Sequence, residues 1–155
     1  NMTSNSKISS SQIRQFIKDG DIHLANEILV YKFSVSSLVI KGDQRGRTIG
    51  IPTANIEYPK DIITPPYGVY AVEIKISDKF YFGIANFGMR PTFNKNFPIL
   101  EAHIFDFDQD IYGDEIEVIF HSKIREEKKF DGIKELLNQI SLDITVAKQK
   151  LQYGN

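Results

Sequence analysis

The chain has no cysteine, which removes disulfides, thiolate metal sites and thiol catalysis together. That absence suits an intracellular protein, and a cytoplasmic location is the expectation. No apolar run approaches the ~20 residues that span a bilayer, and the opening Asn-Met-Thr-Ser-Asn-Ser-Lys is polar rather than signal-like. The Asn ahead of the first Met reads as a tag scar with no part in the fold. Neither charge sign is in excess: the formal net charge is −1 and the pI is about 6.3. A nucleic-acid binder usually carries a strong basic excess, so neither nucleic acid nor membrane is expected as a partner. Histidine is scarce, with three in the chain and no pair at a metal-binding helical spacing.

Internal repeats and low-complexity linkers are missing as well. A chain of 155 residues fits one domain with a small appendage. At that length roughly 70% of the unfolded surface can be buried, so the core needs no covalent or metal staple.

The hydrophobic pattern then divides the chain into three zones. From Ser9 to about Val30 it is helical: Ser9 and Gln12 form a capping-box pair, Ile13, Phe16 and Ile17 share a face, and Gly20 can close the turn. Asp21 can cap a second short helix with Ile22, Ala25, Ile28 and Leu29 as its apolar stripe. From Phe33 to about Arg125 the period falls to two, with strands expected near 34–41, 69–76, 80–87, 100–107 and 115–120. No helical pattern separates them, so the sheet should be largely antiparallel and closed or folded on itself, a small barrel or sandwich. From Phe130 the helical period returns. Asp131 can cap a helix bearing Ile133, Leu136, Leu137 and Ile140, and Asp143 another bearing Val146, Ala147 and Leu151.

Three segments carry groups that could do chemistry. In the run from Lys41 to Asn55, Gly42, Gly46 and Gly50 free the backbone to expose N–H groups to a polyanion, and Arg45 and Arg47 add positive charge. This is not a Walker A loop: Gly42 and Gly46 are one residue too close, Arg47 stands in place of Lys, and no helix follows. A nucleotide phosphate is the natural ligand, and an ordinary surface turn is the alternative. In Pro52-Thr-Ala-Asn55, Thr53 and Asn55 point to one side of an extended segment, and both offer oxygen ligands. Neutral oxygens suit Mg²⁺ only when nucleotide phosphates complete its shell; otherwise the segment is a turn capped by its own side chains. In Leu100-Glu-Ala-His-Ile-Phe-Asp-Phe107, alternation sets Leu100, Ala102 and Ile104 on one face against Glu101, His103, Phe105 and Phe107 on the other. Glu101 in that company can act as a base towards a hydroxyl, or else form a cross-strand ion pair or face solvent. His103 is expected to be structural and hydrogen-bonded beside Glu101. A second basic cluster, Lys123, Arg125, Lys128 and Lys129, is either a solvated face or a local site.

Together these segments resemble the riboflavin kinase family. The run G-x-x-x-G-R-x-x-G-x-P-T-A-N at 42–55 carries the resemblance, followed by Asn86-Phe-Gly-Met-Arg-Pro-Thr-Phe93, the 100–107 segment, and Lys123-Ile-Arg-Glu-Glu-Lys-Lys-Phe130 before a helix. The likeness covers about 33–153. It implies a mainly β fold, a six-stranded antiparallel Greek-key barrel with a helix packed at its mouth. It also implies transfer of the ATP γ-phosphate to riboflavin, giving FMN and ADP, with Mg²⁺ or another divalent metal. By the same resemblance Glu101 is the general base, and Thr53 and Asn55 are metal and phosphate ligands. Gly42, Arg45, Gly46, Arg47, Gly50 and Pro52 then belong to the nucleotide side with Tyr112. Asn86, Pro91, Thr92, Arg125 and Phe130 lie towards the flavin. Ile99 departs from the pattern, standing where relatives often carry a polar Thr.

Residues 1–32 resemble the end of the adenylyltransferase half of bacterial bifunctional FAD synthetases, with residues 33–155 as the kinase barrel and its C-terminal helices. On that reading the sequence is a piece of a longer protein, and FAD synthesis belongs to the longer parent. Two rival classes share the same features. One is a barrel that carries flavin or nucleotide without turnover, and the other an oligonucleotide-binding barrel that stacks bases on some of the eleven Phe.

Overall fold

A computed structural model describes residues 2–29, 32–41, 51–91 and 96–153. Six strands follow two helices. They are α1 (Met2–Asp19), α2 (Ile22–Ile28), β1 (Ser34–Ile40), β2 (Ala54–Glu57), β3 (Gly68–Ile76), β4 (Lys79–Pro91), β5 (Asn96–Ile104) and β6 (Glu115–Glu126), with α3 (Ile133–Leu151) last. The strands close into a barrel in the order β1-β2-β5-β4-β3-β6, every pairing antiparallel. Closure removes the open edges of the sheet. The jumps from β2 to β5 and from β3 to β6 make it a Greek key.

Alternation decides the barrel interior. Val35, Val39, Ala54, Ile56, Tyr70, Val72, Ile74, Ala85, Phe87, Leu100, Ala102, Ile116, Val118 and Phe120 are buried in one cluster. Rings supply much of it: Tyr70 meets Phe120 edge-on at 5.2 Å between centroids and Tyr58 lies 4.7 Å from Phe87. Burial drives the ionisation of the Tyr58 and Tyr70 phenols far upwards, each with a smaller push from a neighbour. Their hydroxyls donate to the carbonyls of Ile63 at 2.5 Å and Pro66 at 2.6 Å, so neither polar tip is buried unpaired.

Residues of β3 that the period-two reading sets outside the barrel are buried too. Val69, Ala71, Ile84 and Phe105 form a second cluster with Ala147 and Leu151 of α3. The C-terminal helix therefore lies along the outer wall of β3, β4 and β6 rather than at the mouth. It is one helix, not two. Asp143 sits within it, buried, facing Arg125 instead of capping a new helix. Gly132 rather than Asp131 occupies its N-cap, and Ile133 is exposed. Gln152, in the left-handed conformation, ends it.

At the other end of the chain α1 runs from Met2, so Ser9 lies inside the helix and is no cap. Gly20 does close it: with φ at +85°, its N–H bonds to the Ile17 carbonyl and that of Asp21 to the Phe16 carbonyl. Asp21 takes the N-cap of α2 without a side-chain capping bond. Ile17, Ile22 and Ala25 enter the barrel's own cluster. Asn26 then ties α2 down, donating to the Phe120 carbonyl at 2.9 Å and accepting the Phe33 N–H at 2.8 Å. These helices cover the end of the barrel where β1 begins and β6 nears its finish.

Candidate active site

The strand register lines up the polar candidates. Asn55 opposes Glu101 across β2 and β5, and Glu101 opposes Asn86 across β5 and β4. The same row continues from Asn86 to Val69 and from Val69 to Arg125. Directly opposed residues share a face, and the alternate positions Ala54, Ile56, Leu100, Ala102, Ala85 and Phe87 fill the interior. Asn55, Glu101 and Asn86 therefore stand side by side on the outer face. Two strand spacings separate the first from the last, about 10 Å. Asn55 is buried although it faces outward, and Glu101 is half-buried. The side-chain oxygen of Asn86 is buried without a hydrogen-bond partner, a costly state for an amide unless a donor arrives.

One end of this row opens into a cavity of about 530 Å³. Thr53 and Asn55 line it with Pro52, Lys41 and Tyr112, beneath a rim from Phe107 to Ile111. Tyr112 is placed by a tight turn. The Gly113 N–H bonds to the Val39 carbonyl at 3.0 Å, the Val39 N–H bonds to the Asp114 carbonyl at 2.8 Å, and Asp110 accepts the Tyr112 N–H at 3.0 Å. The ring is exposed, with the Lys41 ammonium 5.2 Å from its centroid. The structure thus gathers Pro52, Thr53, Asn55 and Tyr112 around one hollow. Gly42, Arg45, Gly46, Arg47 and Gly50 fall outside the described residues, as does Thr92.

Among the described residues no cluster of three His, Cys, Asp or Glu could hold a metal ion. The donors on the β2 side of the cavity are the neutral oxygens of Thr53 and Asn55, with the carboxylates of Asp108 and Asp110 on the rim. The neutral pair fits a cation that brings its own anionic ligands, and does not fit a bare ion.

Pro91 ends β4 opposite Asn96, and past Asn86 the row leads through Val69 to Arg125, with Phe130 beside it. The Arg125 guanidinium is already engaged. Its Nε donates to both Asp143 carboxylate oxygens at 2.9 and 3.0 Å, one terminal nitrogen to Asp143 at 2.8 Å, and the other to the Glu126 carbonyl at 3.0 Å. Gln139 adds a third donor to Asp143. The guanidinium carbon lies 5.7 Å from the Phe130 ring centroid. Arg125 therefore anchors β6 to α3 and has Phe130 beside it. The His103 ring is hydrogen-bonded as expected, its partner being the Pro52 carbonyl.

Sequence reading missed the cavity rim at 107–111 and the Lys41–Tyr112 pair. Tyr112-Gly-Asp reads as a turn, and nothing local reveals that the turn is pinned to Val39. Likewise Asp143 looks like a helix cap until β6 lies beside it.

A riboflavin kinase (flavokinase) family profile matches residues 29–151. The bifunctional riboflavin kinase/FMN adenylyltransferase of Bacillus subtilis is 46% identical over 140 residues, 88% of this chain and 44% of that protein. The Haemophilus influenzae protein of the same description is 43% identical, over 92% of this chain and 46% of its own length. The chain thus spans less than half the length of these curated relatives. Among solved structures, a Streptococcus pneumoniae protein described as a macrolide-efflux protein superposes with a TM-score of 0.83 at 37% identity, covering 90% of this chain and 46% of that one. Riboflavin kinase from Trypanosoma brucei shares the fold, with a TM-score of 0.57 and 22% identity over 78% of this chain and 80% of its own. Among the described residues no helix is long and apolar enough to cross a membrane. With the profile spanning most of the chain and the barrel row and cavity in place, this chain belongs to the riboflavin kinase family.

Proposed function

We propose that the chain transfers the γ-phosphate of ATP to the ribityl 5′-hydroxyl of riboflavin, giving FMN and ADP. The row Asn55–Glu101–Asn86 carries this reading. It sets oxygen ligands, a carboxylate and an amide in sequence, from a cavity that suits a nucleotide towards a surface that suits the flavin. Thr53 and Asn55 would hold a phosphate-bound Mg²⁺ or other divalent metal, which when present neutralises charge on the phosphate oxygens. Pro52 and Tyr112 border the nucleotide, and Gly42, Arg45, Gly46, Arg47 and Gly50 would supply backbone N–H groups and positive charge to its phosphates.

Glu101 accepts the hydroxyl proton as the ribityl oxygen forms its bond to the γ-phosphorus. The bond from that phosphorus to the β–γ bridging oxygen breaks, and ADP leaves with the electron pair. Because phosphoryl transfer rests on positioning and electrostatics, the fixed register of the three strands is the main contribution of the fold. The Asn86 oxygen can accept a hydrogen bond from the flavin or its ribityl chain, which would relieve its unpaired burial. Phe130 gives apolar cover to the ring, and Arg125 serves the flavin by holding Phe130 and α3 in place. Pro91 and Thr92 would contribute to flavin binding.

In a longer parent chain the residues before 33 would continue from an adenylyltransferase domain, and FAD synthesis would require that domain. Incubation with riboflavin, ATP and Mg²⁺ followed by flavin separation tests the reading. FMN with ADP is the expected product pair; unaltered riboflavin would overturn the assignment, and FAD with pyrophosphate would place adenylylation in this chain.

A further inference from the structure

Resting on the reading above, we propose that His103 is a positioning residue for the nucleotide: its ring bonds the Pro52 carbonyl and so holds Thr53 in place beside Asn55 at the cavity. The backbone ladder between β2 and β5 has its last pair at Ala54 and Ala102. One step further along, residues 53 and 103 would be the next to oppose each other. Pro52 has no N–H with which to continue the ladder, and its carbonyl would face the cleft unpaired. His103 Nδ1 lies 3.1 Å from that oxygen, and since a carbonyl only accepts, the ring N–H donates. A side chain thus takes over where backbone pairing stops.

Both ends of this bond are set in place. On β5 the His103 carbonyl is approached so closely by Gly83 that any Cβ there would collide with it, and the His103 ring stands edge-on to Phe105 at 5.8 Å. On the other side Pro52, Thr53, Ala54 and Asn55 line the cavity as one continuous segment. Loss of the bond removes the tie between Pro52 and β5 beyond the last ladder pair at Ala54, and Thr53 loses its fixed spacing from Asn55.

The test uses equilibrium binding of Mg·ADP and of riboflavin by the whole chain, with thermal melting alongside. His103→Phe keeps the ring against Phe105 but deletes the donor. His103→Asn deletes the ring but keeps an N–H at the δ position. The expected result is a roughly 3- to 10-fold weaker Mg·ADP affinity in His103→Phe, the range for one neutral hydrogen bond, with riboflavin affinity and melting unchanged. His103→Asn should recover Mg·ADP binding to within about twofold. Wild-type Mg·ADP affinity in His103→Phe overturns the proposal, as does equal loss in both variants or a matching loss of riboflavin affinity. Should His103→Phe fail to fold, a folded His103→Asn decides alone: retained Mg·ADP affinity supports the proposal, and lost affinity overturns it. If the unsubstituted chain binds no Mg·ADP, the nucleotide reading falls and this inference with it; binding that ignores His103 removes this inference only.

Discussion

At the end of the barrel where β1 begins, Asn26 satisfies the Phe120 carbonyl and the Phe33 N–H at once, and the buried Tyr58 and Tyr70 hydroxyls each find a carbonyl. On the outer row of β2, β5 and β4 the pattern reverses. Asn86 keeps a buried oxygen unpaired, and Thr53 and Asn55 turn theirs to an open hollow. Both regions use uncharged polar side chains, asparagine in each. The first turns polar groups inward upon the protein, where each hydrogen bond adds to stability. The second reserves them, which costs stability and is sensible only where a ligand completes the set.

Substitutions should therefore separate activity from stability according to region. The largest effect is expected from Glu101→Gln, which keeps the shape but cannot take the proton. Turnover should fall by about 10²–10⁴-fold, with the melting temperature unchanged; near wild-type kcat would mean that Glu101 is not the base. Asp143→Ala comes next and crosses the boundary between the regions. It leaves the Arg125 guanidinium, 18% exposed, without the carboxylate that neutralises it. A loss of about 3–5 kcal/mol in urea unfolding is expected, and a loss below about 1 kcal/mol would mean that this pair behaves as a surface pair.

Asn26→Ala strikes only the sealed end. It strips two backbone groups of their partner, for an expected loss of about 1–3 kcal/mol. Mg·ADP and riboflavin affinities measured well below the melting temperature should not move, and a selective change in either would dissolve the contrast between the regions. The smallest effect concerns His121. Burial lowers its pKa first, with Lys32, His23 and Lys150 adding to the effect. A depressed folded-state pKa means that the unfolded chain binds the proton more readily. Stability is full above the ordinary value of 6.5 and declines as pH falls from there towards the folded-state pKa. Melting temperatures between pH 8 and 5 should show this decline, and His121→Gln should flatten it.

Much of this division is legible in the residues themselves. The period-two runs of β3 and β6 name the inward set Tyr70, Val72 and Ile74 with Ile116, Val118 and Phe120, because one-sided burial leaves a mark at every second position. Gly20 marks its turn for an equally local reason, the left-handed φ that glycine adopts without strain. The spacing of Thr53, Asn55 and Glu101 shows which side chains share a face within each segment. It does not show that the segments are neighbours.

The sequence by itself determined the strand-rich middle, the helical ends, the absence of thiol chemistry and the candidate oxygen ligands. Each of these depends on period, on turn chemistry or on which functional groups the side chains carry. Only the tertiary structure decided that Asn55, Glu101 and Asn86 form one row, that Asp143 holds Arg125 rather than capping a helix, and that His103 reaches Pro52. Each of those facts joins residues far apart in the chain, through strand pairing and helix docking that no local pattern encodes. A carboxylate has the same composition whether it caps a helix or pairs with a guanidinium, and the packed neighbour makes the difference.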